Sequence, residues 1–434
     1  MLRHATAGGT TREPAVKLRG SWRSPASGAT AAAILLVIAM LAIGAGPAGA
    51  ATGKLALSAR PKVKPPVPGT FNAVSCTSST SCVAVGSSGN SGATFSLAEA
   101  WNGTAWTVQP TPTPSGGSNS AFLGVSCVST SSCLAVGAYF DGVANGVLAE
   151  SWNGTTWTIE TVPLPTGALA GYLSGVSCSS ASACIAVGTY ADSSNTNQPL
   201  AEAWNGTSFA PQTVPLPPLA TTSTFGAVSC SPSPTVDCEA VGWNFVSGEG
   251  EIAMTLAERW NGRKWSVQNT PIPDGASGGS YPTGVSCTSP RACTSVGEAN
   301  NESEVPSEGW AQVWNGTTWA NHTTKSPTGA TFSSLSAVSC SAASTTTCAA
   351  VGYYSNGSEF ESFAEALKGS KGATLQHTPE PAGSTSGGLN GVWCTSPAAT
   401  CTSVGAITNS SSVSVTLAEG WNGLKWSTQK TPKP

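Results

Sequence analysis

Charged and metal-binding side chains are scarce in this chain. Of its 434 residues only 9% are Asp, Glu, Lys or Arg, and only three are histidine, namely His4, His322 and His377. Two histidines beyond the first fifty residues are too few for a zinc site with imidazole ligands alone, and no Ser/His/Asp set is recognisable in the sequence. The sequence therefore does not indicate catalysis by those routes.

Positive charge is in particularly short supply. Beyond residue 50 the chain keeps 14 basic and 21 acidic residues, a net charge of −7. A surface that binds nucleic acid needs a basic patch or stripe. We therefore expect no nucleic-acid partner.

Residues 1–50 have the pattern of a signal peptide. Five basic residues precede an apolar stretch at 31–43, and Ala48-Gly49-Ala50 is an A-x-A cleavage signal. We expect cleavage after Ala50, and the alternative is an uncleaved signal anchor. Residues 51–69 are rich in proline and lysine and predict an extended linker. Either way the remaining chain would be secreted or held at the cell surface, with no membrane span after cleavage.

From Thr70 to Pro434 one unit of about fifty residues is repeated seven times. Each copy contains two cysteines, a Val-Gly pair, a run resembling Leu-Ala-Glu, and Trp-Asn-Gly followed by a second aromatic residue. Successive first cysteines are 51 to 57 residues apart. The local pairs are Cys76 and Cys82, Cys127 and Cys133, Cys178 and Cys184, Cys230 and Cys238, Cys287 and Cys293, Cys340 and Cys348, and Cys394 and Cys401.

The fourteen cysteines leave none unpaired. Outside the cytoplasm such pairs form disulfides, whereas zinc sites made of thiolates alone remain formally open. We predict seven disulfides, each joining the first two strands of its own copy. A closed loop this short stabilises the fold by roughly 2 to 3 kcal/mol.

Each copy also supplies four short strand candidates, ended by glycine and proline. A single four-stranded sheet buries too little apolar surface, but seven arranged radially cover one another. We predict an all-β fold, a seven-bladed β-propeller of four-stranded antiparallel blades. Copy one begins at strand one and copy seven ends at strand four, so the ring should close by packing, without a swapped strand.

The Trp-Asn-Gly motif predicts a hairpin turn, since Asn and Gly both tolerate positive φ. The two flanking aromatic residues should fill the wedge between blades. Copy six departs from this pattern, with Leu367-Lys368-Gly369 and no following Trp. We interpret this departure as drift, and the alternative is adaptation to a neighbouring molecule.

An acid precedes the position of the first Trp by two residues in six copies, although copy six has Leu367 at that position, and the fifth copy has Gln312 in place of the acid. A catalytic acid would occur once, so a repeated acid is typical of a hydrogen-bonding element of the scaffold. The six acids are Glu99, Glu150, Glu202, Glu258, Glu365 and Glu419.

The chain resembles a bacterial secreted β-propeller repeat protein. In copy two Ser151, Asn153, Gly154, Thr156 and Trp157 are similar to the Asp-box of sialidase-type propellers, with one residue missing between Asn153 and Gly154. The period is similar to kelch, without the kelch double glycine. The resemblance implies the propeller architecture and no activity. Sialidase chemistry would need an arginine cluster, and after residue 50 the arginines are Arg60, Arg259, Arg263 and Arg291.

The connections between strands two and three vary between copies, and the predicted binding surface lies on the end of the propeller that carries them. Their aromatic residues are typical of glycan or protein contacts, or else simply extend strand two and pack between blades. The candidate ligand-binding residues are Tyr139, Phe140, Tyr190, Trp243, Phe245, Trp310, Tyr353 and Tyr354. We expect a ligand nearest copies four to six.

Acids cluster in the same connections of copies four to six. They could bind calcium, although the spacing of a calcium loop is absent and a solvated rim is the alternative. They are Glu249, Glu251, Glu298, Glu302, Glu304, Glu308, Glu359 and Glu361.

Two functions remain open from the sequence. The first is a monomeric, non-catalytic binding or scaffold propeller that recognises a glycan or an extracellular protein. The alternative is a secreted carbohydrate-active enzyme, a glycoside hydrolase or lyase that uses a pair of carboxylates from the variable connections.

Overall fold

A computed structural model describes residues 68–90, 92–117, 119–231, 236–246, 252–274, 276, 278–300, 307–341, 347–369, 372–395 and 400–432. Within these ranges the chain forms 28 strands and no helix. The predicted signal peptide and nearly all of the predicted linker lie outside the described residues.

The strands fall into seven consecutive sets of four. The first strands are β1 (Gly69–Ser78), β5 (Asn119–Ser129), β9 (Ala170–Ser180), β13 (Ala220–Cys230), β17 (Gly279–Ser289), β21 (Phe332–Cys340) and β25 (Ser384–Cys394). The second strands are β2 (Ser81–Asn90), β6 (Ser132–Phe140), β10 (Ala183–Ala191), β14 (Cys238–Val246), β18 (Ala292–Asn300), β22 (Thr347–Ser355) and β26 (Cys401–Asn409).

The outer two strands of each set are shorter on average. The third strands are β3 (Ala93–Trp101), β7 (Asn145–Trp152), β11 (Asn197–Trp204), β15 (Ala253–Trp260), β19 (Glu308–Trp314), β23 (Phe360–Lys368) and β27 (Ser414–Trp421). The fourth strands are β4 (Trp106–Gln109), β8 (Trp157–Ile159), β12 (Phe209–Pro211), β16 (Trp265–Val267), β20 (Trp319–His322), β24 (Ala373–Gln376) and β28 (Trp426–Gln429).

Each set forms one antiparallel sheet in sequence order, so every repeat is one blade. The first strands of neighbouring blades contact one another around the whole ring, β25 with β1 included, which places them innermost. The predicted seven-bladed propeller is confirmed. The ring closes by packing of blade seven on blade one, and no strand is exchanged between them.

All seven predicted disulfides are present, one at each hairpin between a first and a second strand. Their Cα atoms are 3.8 to 4.0 Å apart, and the two cysteines are direct cross-strand partners, as Cys76 and Cys82 are. No free cysteine is found in the described part of the chain. Seven disulfides indicate an oxidising, extracytoplasmic environment.

A β-bulge in every first strand explains the repeated Val-Gly. In blade three the bulge at Ser174 brings the carbonyl of Tyr172 close to Gly188 of the second strand. A Cβ on Gly188 would lie 2.1 Å from that oxygen, and the equivalent glycines of the other six blades give 1.9 to 2.2 Å. Only glycine permits so close a backbone approach.

Neighbouring blades are joined by a repeated hydrogen bond near the disulfides. The serine before the first cysteine of one blade accepts from the backbone N–H of the first cysteine of the next. Ser75 Oγ accepts from Cys127 N at 2.9 Å, and the same bond recurs at the next five joints. At the closing joint the serine is replaced by Trp393, which packs into the core between blades seven and one.

The second aromatic residue of each turn fills the wedge between its blade and the preceding one. Trp319 belongs to the core that also contains Val241 and Ala257 of blade four. Its indole N–H donates to Gln268 Oε1 at the end of the preceding blade's fourth strand, at 2.5 Å. The same tryptophan-to-glutamine bond occurs at three further joints.

The hairpin predicted at Trp-Asn-Gly is present as a four-residue turn. Trp101 and Trp106 are cross-strand partners, so four residues form the turn. Gly103 has φ +93°, but Asn102 is absent from the residues with positive φ. Asn102 instead accepts through Oδ1 from the backbone N–H groups of residues 104 and 105. Its side chain replaces the turn hydrogen bonds that a left-handed backbone would have provided.

Candidate functional site

The two ends of the propeller differ in chemistry. The turn end, as we name it, carries the disulfide hairpins and the turns between strands three and four. These contact each other inside each blade, for a Cβ on Gly103 would lie 3.0 Å from the side chain of Thr80 in the hairpin. The loop end carries the connections between strands two and three and the links between blades. The predicted aromatic site belongs to the loop end, because its residues stand at the ends of second strands or the starts of third strands.

An aromatic cluster marks the loop end of blade six. Tyr353, a predicted site residue, packs against Phe332 and Phe360, with ring centroids 5.7 Å away in both cases. Phe332 and Phe360 are 6.2 Å apart and nearly perpendicular. Phe360 is 38% exposed, so the cluster presents an aromatic surface to solvent. Beneath it the backbone of blade seven packs on Tyr353, since a Cβ on Gly388 would lie 3.3 Å from the Tyr353 Cβ.

A second aromatic pair joins blades four and five. Trp243, also predicted, makes an edge contact with Tyr281 of the next blade at a centroid distance of 5.6 Å. Tyr281 is the cross-strand partner of Glu298. Glu298 is 1% exposed, and burial raises its pKa to about 8 although a hydrogen bond from Ser334 opposes the shift.

Glu298 connects the two aromatic groups electrostatically. The pKa of Tyr281 and that of Tyr353 are both raised, first by burial and then by the nearby Glu298. Trp243, Tyr281, Glu298 and Tyr353 therefore form one arrangement of neighbouring residues at the loop end of blades four to six. We call this arrangement, together with Phe332 and Phe360, the aromatic rim.

Tyr354 and Phe245, the other predicted residues of blades four and six, lie beside the aromatic rim. The Tyr354 hydroxyl donates to Glu361 Oε2 at 2.5 Å, and Asn356 Nδ2 donates to Glu361 Oε1 at 3.0 Å. Burial and Glu361 raise the pKa of Tyr354 to about 12, so it is a neutral donor under ordinary conditions. Phe245 is half-buried near the end of β14.

The remaining predicted residues do not join this group. Tyr139 and Phe140 stand at the end of β6 in blade two, and Tyr190 near the end of β10 in blade three. Tyr139 and Tyr190 pack against the cores between their own blade and the preceding one, as the alternative of packing between blades predicts. Trp310 of blade five is only 6% exposed, so little of its ring reaches solvent.

Sequence reasoning missed Tyr281, Phe332 and Phe360. Tyr281 and Phe332 begin or nearly begin a first strand, and Phe360 begins a third strand. Their position in the repeat was the signal that could have found them. The first strand begins, the second strand ends and the third strand begins at the same end of a blade.

The predicted acids of the loop end are only partly within the described residues. Glu249, Glu251, Glu302 and Glu304 lie outside them. Among the residues that the structure describes, no three His, Cys, Asp or Glu side chains come together as a potential metal site. The calcium hypothesis stays a prediction.

The repeated acids of the third strands are inaccessible. Glu99, Glu150, Glu202, Glu258, Glu365 and Glu419 are at most 1% exposed, as is Gln312. Burial raises the pKa of Glu365 to about 7 and of the other five to about 8. These carboxyl groups are elements of the scaffold and cannot contact a ligand.

No protein-family model matches this chain, and neither does any curated protein. Solved structures share the fold. A PL25 ulvan lyase bound to -[GlcA(1-4)Rha3S]- superimposes with a TM-score of 0.53 at 9% identity, over 84% of this chain and 96% of that chain.

Two further structures show weaker likeness. The SapL1 lectin in complex with alpha methyl fucoside gives a TM-score of 0.42 at 13% identity, over 70% of this chain and 93% of that chain. Sqt1 from Chaetomium thermophilum, bound to the N-terminus of a ribosomal protein, gives 0.46 at 12% identity, over 82% and 86%. Identities this low show the propeller fold alone. In the described residues we find no helix long and apolar enough to cross a membrane.

Proposed function

We propose that this protein is a secreted or cell-surface binding propeller that recognises a glycan through the aromatic rim. The observation that carries the proposal is the Phe332, Tyr353 and Phe360 cluster, which keeps an exposed ring on a rigid strand framework. Aromatic faces stack on the apolar faces of sugar rings, and neighbouring hydroxyl and carboxylate groups supply hydrogen bonds. The Tyr354 and Glu361 pair offers such groups at the same end of blade six, on the opposite face of the sheet.

The test is a glycan array on the purified propeller, repeated with Phe360→Ala and Trp243→Ala. We expect each substitution to weaken binding at least about tenfold, because an aromatic anchor of an interface contributes more than 1 kcal/mol. Phe95→Ala is the matched control, since Phe95 is 46% exposed near the start of the third strand of blade one. Binding that survives both rim substitutions would refute the proposal. Capture of a cell-surface protein without any glycan signal would replace the glycan by a protein partner.

One observation favours the alternative of a carbohydrate-active enzyme. Glu298 lies beside two tyrosines, and its pKa is raised to about 8. The carboxyl group is therefore protonated at neutral pH, as a general acid must be. An exposure of 1% argues against contact with a substrate. Incubating the protein with polysaccharides and measuring newly released chain ends decides between the two functions. Release by the native protein that disappears in Glu298→Gln would establish the enzyme.

A further inference from the structure

Grooves at the turn end can be compared directly between joints, because the repeat places equivalent residues around each of them. The groove between blades one and two is lined by Cys82, Trp101, Gln109 and Cys127 and has a volume of about 80 Å³. Between blades five and six the equivalent groove is lined by Cys293, Trp314, His322 and Cys340, and its volume is about 370 Å³. The second volume is within the range of small-molecule sites.

Three replaced residues set this joint apart from that of blades one and two. At this joint Ala373 occupies the position of the wedge tryptophan, and Leu367 replaces the first tryptophan of the turn. On the other side His322 replaces the glutamine that accepts the indole N–H at four other joints. Both partners of the repeated tryptophan-to-glutamine bond are thus replaced, one in blade five and the other in blade six. Random sequence change in blade six alone does not explain this.

His322 remains tied to the altered turn. Its Nε2 is in hydrogen-bonding contact with the carbonyl of Gly369, and its Nδ1 lies 2.9 Å from the carbonyl of Thr323. The ring is therefore held at the wall of the cavity rather than filling it. Around it the lining is mostly apolar, with Val313, Trp314 and Leu367 among its residues.

The cavity also has one cationic wall. Arg291, in the disulfide hairpin of blade five, lines it, and no acidic residue is among its lining residues. The arginine is exposed, and its aliphatic part lies over Gly316 of the adjacent turn. Within the described ranges the one salt bridge is that of Arg259 with Asp237, so Arg291 has no carboxylate partner there.

We propose that the cavity between blades five and six binds a small aromatic carboxylate of about the size of indole acetate. The planar ring would lie against Trp314 and Leu367, in the space that the first tryptophan of the next blade's turn narrows at the joint of blades one and two. The carboxylate would pair with the Arg291 guanidinium, which is suited to bidentate hydrogen bonds. This site is at the turn end, separate from the aromatic rim, and does not depend on the glycan proposal.

The test measures binding of indole-3-acetate to the purified propeller by calorimetry and by the shift in melting temperature. We expect saturable binding, and binding weaker by about ten- to a hundredfold with Arg291→Ala, as charged hydrogen bonds of this kind imply. Arg263→Ala is the matched control, because Arg263 stands in the turn of the neighbouring blade and does not line the cavity. Indole itself, which lacks the carboxylate, should bind no better to the native protein than to Arg291→Ala.

A second variant restores the pattern of the other joints. His322→Gln with Leu367→Trp should restore the glutamine and tryptophan that line the smaller groove of blades one and two, fill the cavity and abolish binding while leaving the far-ultraviolet spectrum unchanged. No binding of indole-3-acetate to the native protein at millimolar concentration would overturn the proposal. So would equal affinity of the native protein and Arg291→Ala, and so would undiminished binding to a folded filled variant.

Discussion

At the scale of single residues, two positions that face each other across a joint change together. Gln312 of blade five donates through Nε2 to the carbonyl of Pro271 in blade four, at 2.7 Å. In blade six Glu365 Oε1 instead accepts from the N–H of Lys325 at 2.9 Å, and Lys325 occupies the repeat position that Pro271 has one blade earlier. The other five copies keep both the glutamate and the proline, which has a carbonyl but no N–H.

This pattern agrees with the raised pKa values of the glutamates, which burial causes. A neutral carboxylic acid can donate to a proline carbonyl as the Gln312 amide does, whereas a buried carboxylate can only accept. Burial raises the pKa of Glu258 to about 8, and the Lys325 N–H holds that of Glu365 lower, at about 7. We infer that five of the glutamates serve as protonated donors in the folded protein.

Glu258→Gln tests this inference. The amide keeps the donor and cannot ionise, so the variant should match the native protein at pH 5 and exceed its stability at pH 9. Urea midpoints at the two pH values measure the difference. Gln312→Glu should instead be less stable than the native protein at pH 9. An equal effect of Glu258→Gln at both pH values would contradict the protonated donor.

At the scale of the strand, the bulge of each first strand depends on the glycine of each second strand. The bulge bends the inner strand and brings a carbonyl onto the glycine, as Tyr172 approaches Gly188 in blade three. The recurrence of Val-Gly is readable in the sequence. The cause of this recurrence cannot be read from the sequence, because the bulge is a property of the paired strands.

Gly188→Ala should therefore be much more damaging than Gly175→Ala in the same blade. A Cβ on Gly188 meets a backbone oxygen at 2.1 Å, whereas a Cβ on Gly175 has its nearest neighbour at 3.4 Å, an ordinary contact. We expect Gly188→Ala to lower the free energy of unfolding by about 2–3 kcal/mol or more, as overpacking does, and Gly175→Ala to cost little. Thermal denaturation of the two variants compares them. Similar melting temperatures would show that the bulge relaxes without cost.

At the scale of the whole molecule, the repeated glutamates give the propeller a pH dependence. Glu99, Glu150, Glu202, Glu258 and Glu419 have folded-state pKa values raised to about 8 from a reference of 4.5. Between these values the folded state binds more protons than the unfolded state, so stability falls as pH rises. Their contribution is complete below about pH 4.5 and is lost as pH passes through 8.

We therefore expect the melting temperature of the native protein to decrease steadily from pH 5 to pH 9. Calorimetric scans at unit pH intervals and constant ionic strength measure the trend. A variant with several of these glutamates replaced by glutamine should show a flatter profile. A melting temperature that is constant or rises over this range would contradict the protonated scaffold.

The sequence by itself determined the repeat, the number of blades, the all-β fold and the pairing of all fourteen cysteines. These follow from local patterns, since two cysteines a few residues apart or a turn motif before a strand can be read within one copy. Ring closure without strand exchange also followed, from where the first and last copies begin and end. The turn was only half predicted, because Asn102 stabilises it through its side chain and not through its own backbone.

Only the tertiary structure decided which residues of different copies meet. Positions about fifty residues apart become neighbours across a joint, as His322 and Gly369 do, and nothing local to either residue shows this contact. The aromatic rim arises in the same way, because Trp243 and Tyr281 belong to different blades. Strand alternation and cysteine spacing are properties of one copy, whereas a site between blades depends on the radial packing of two.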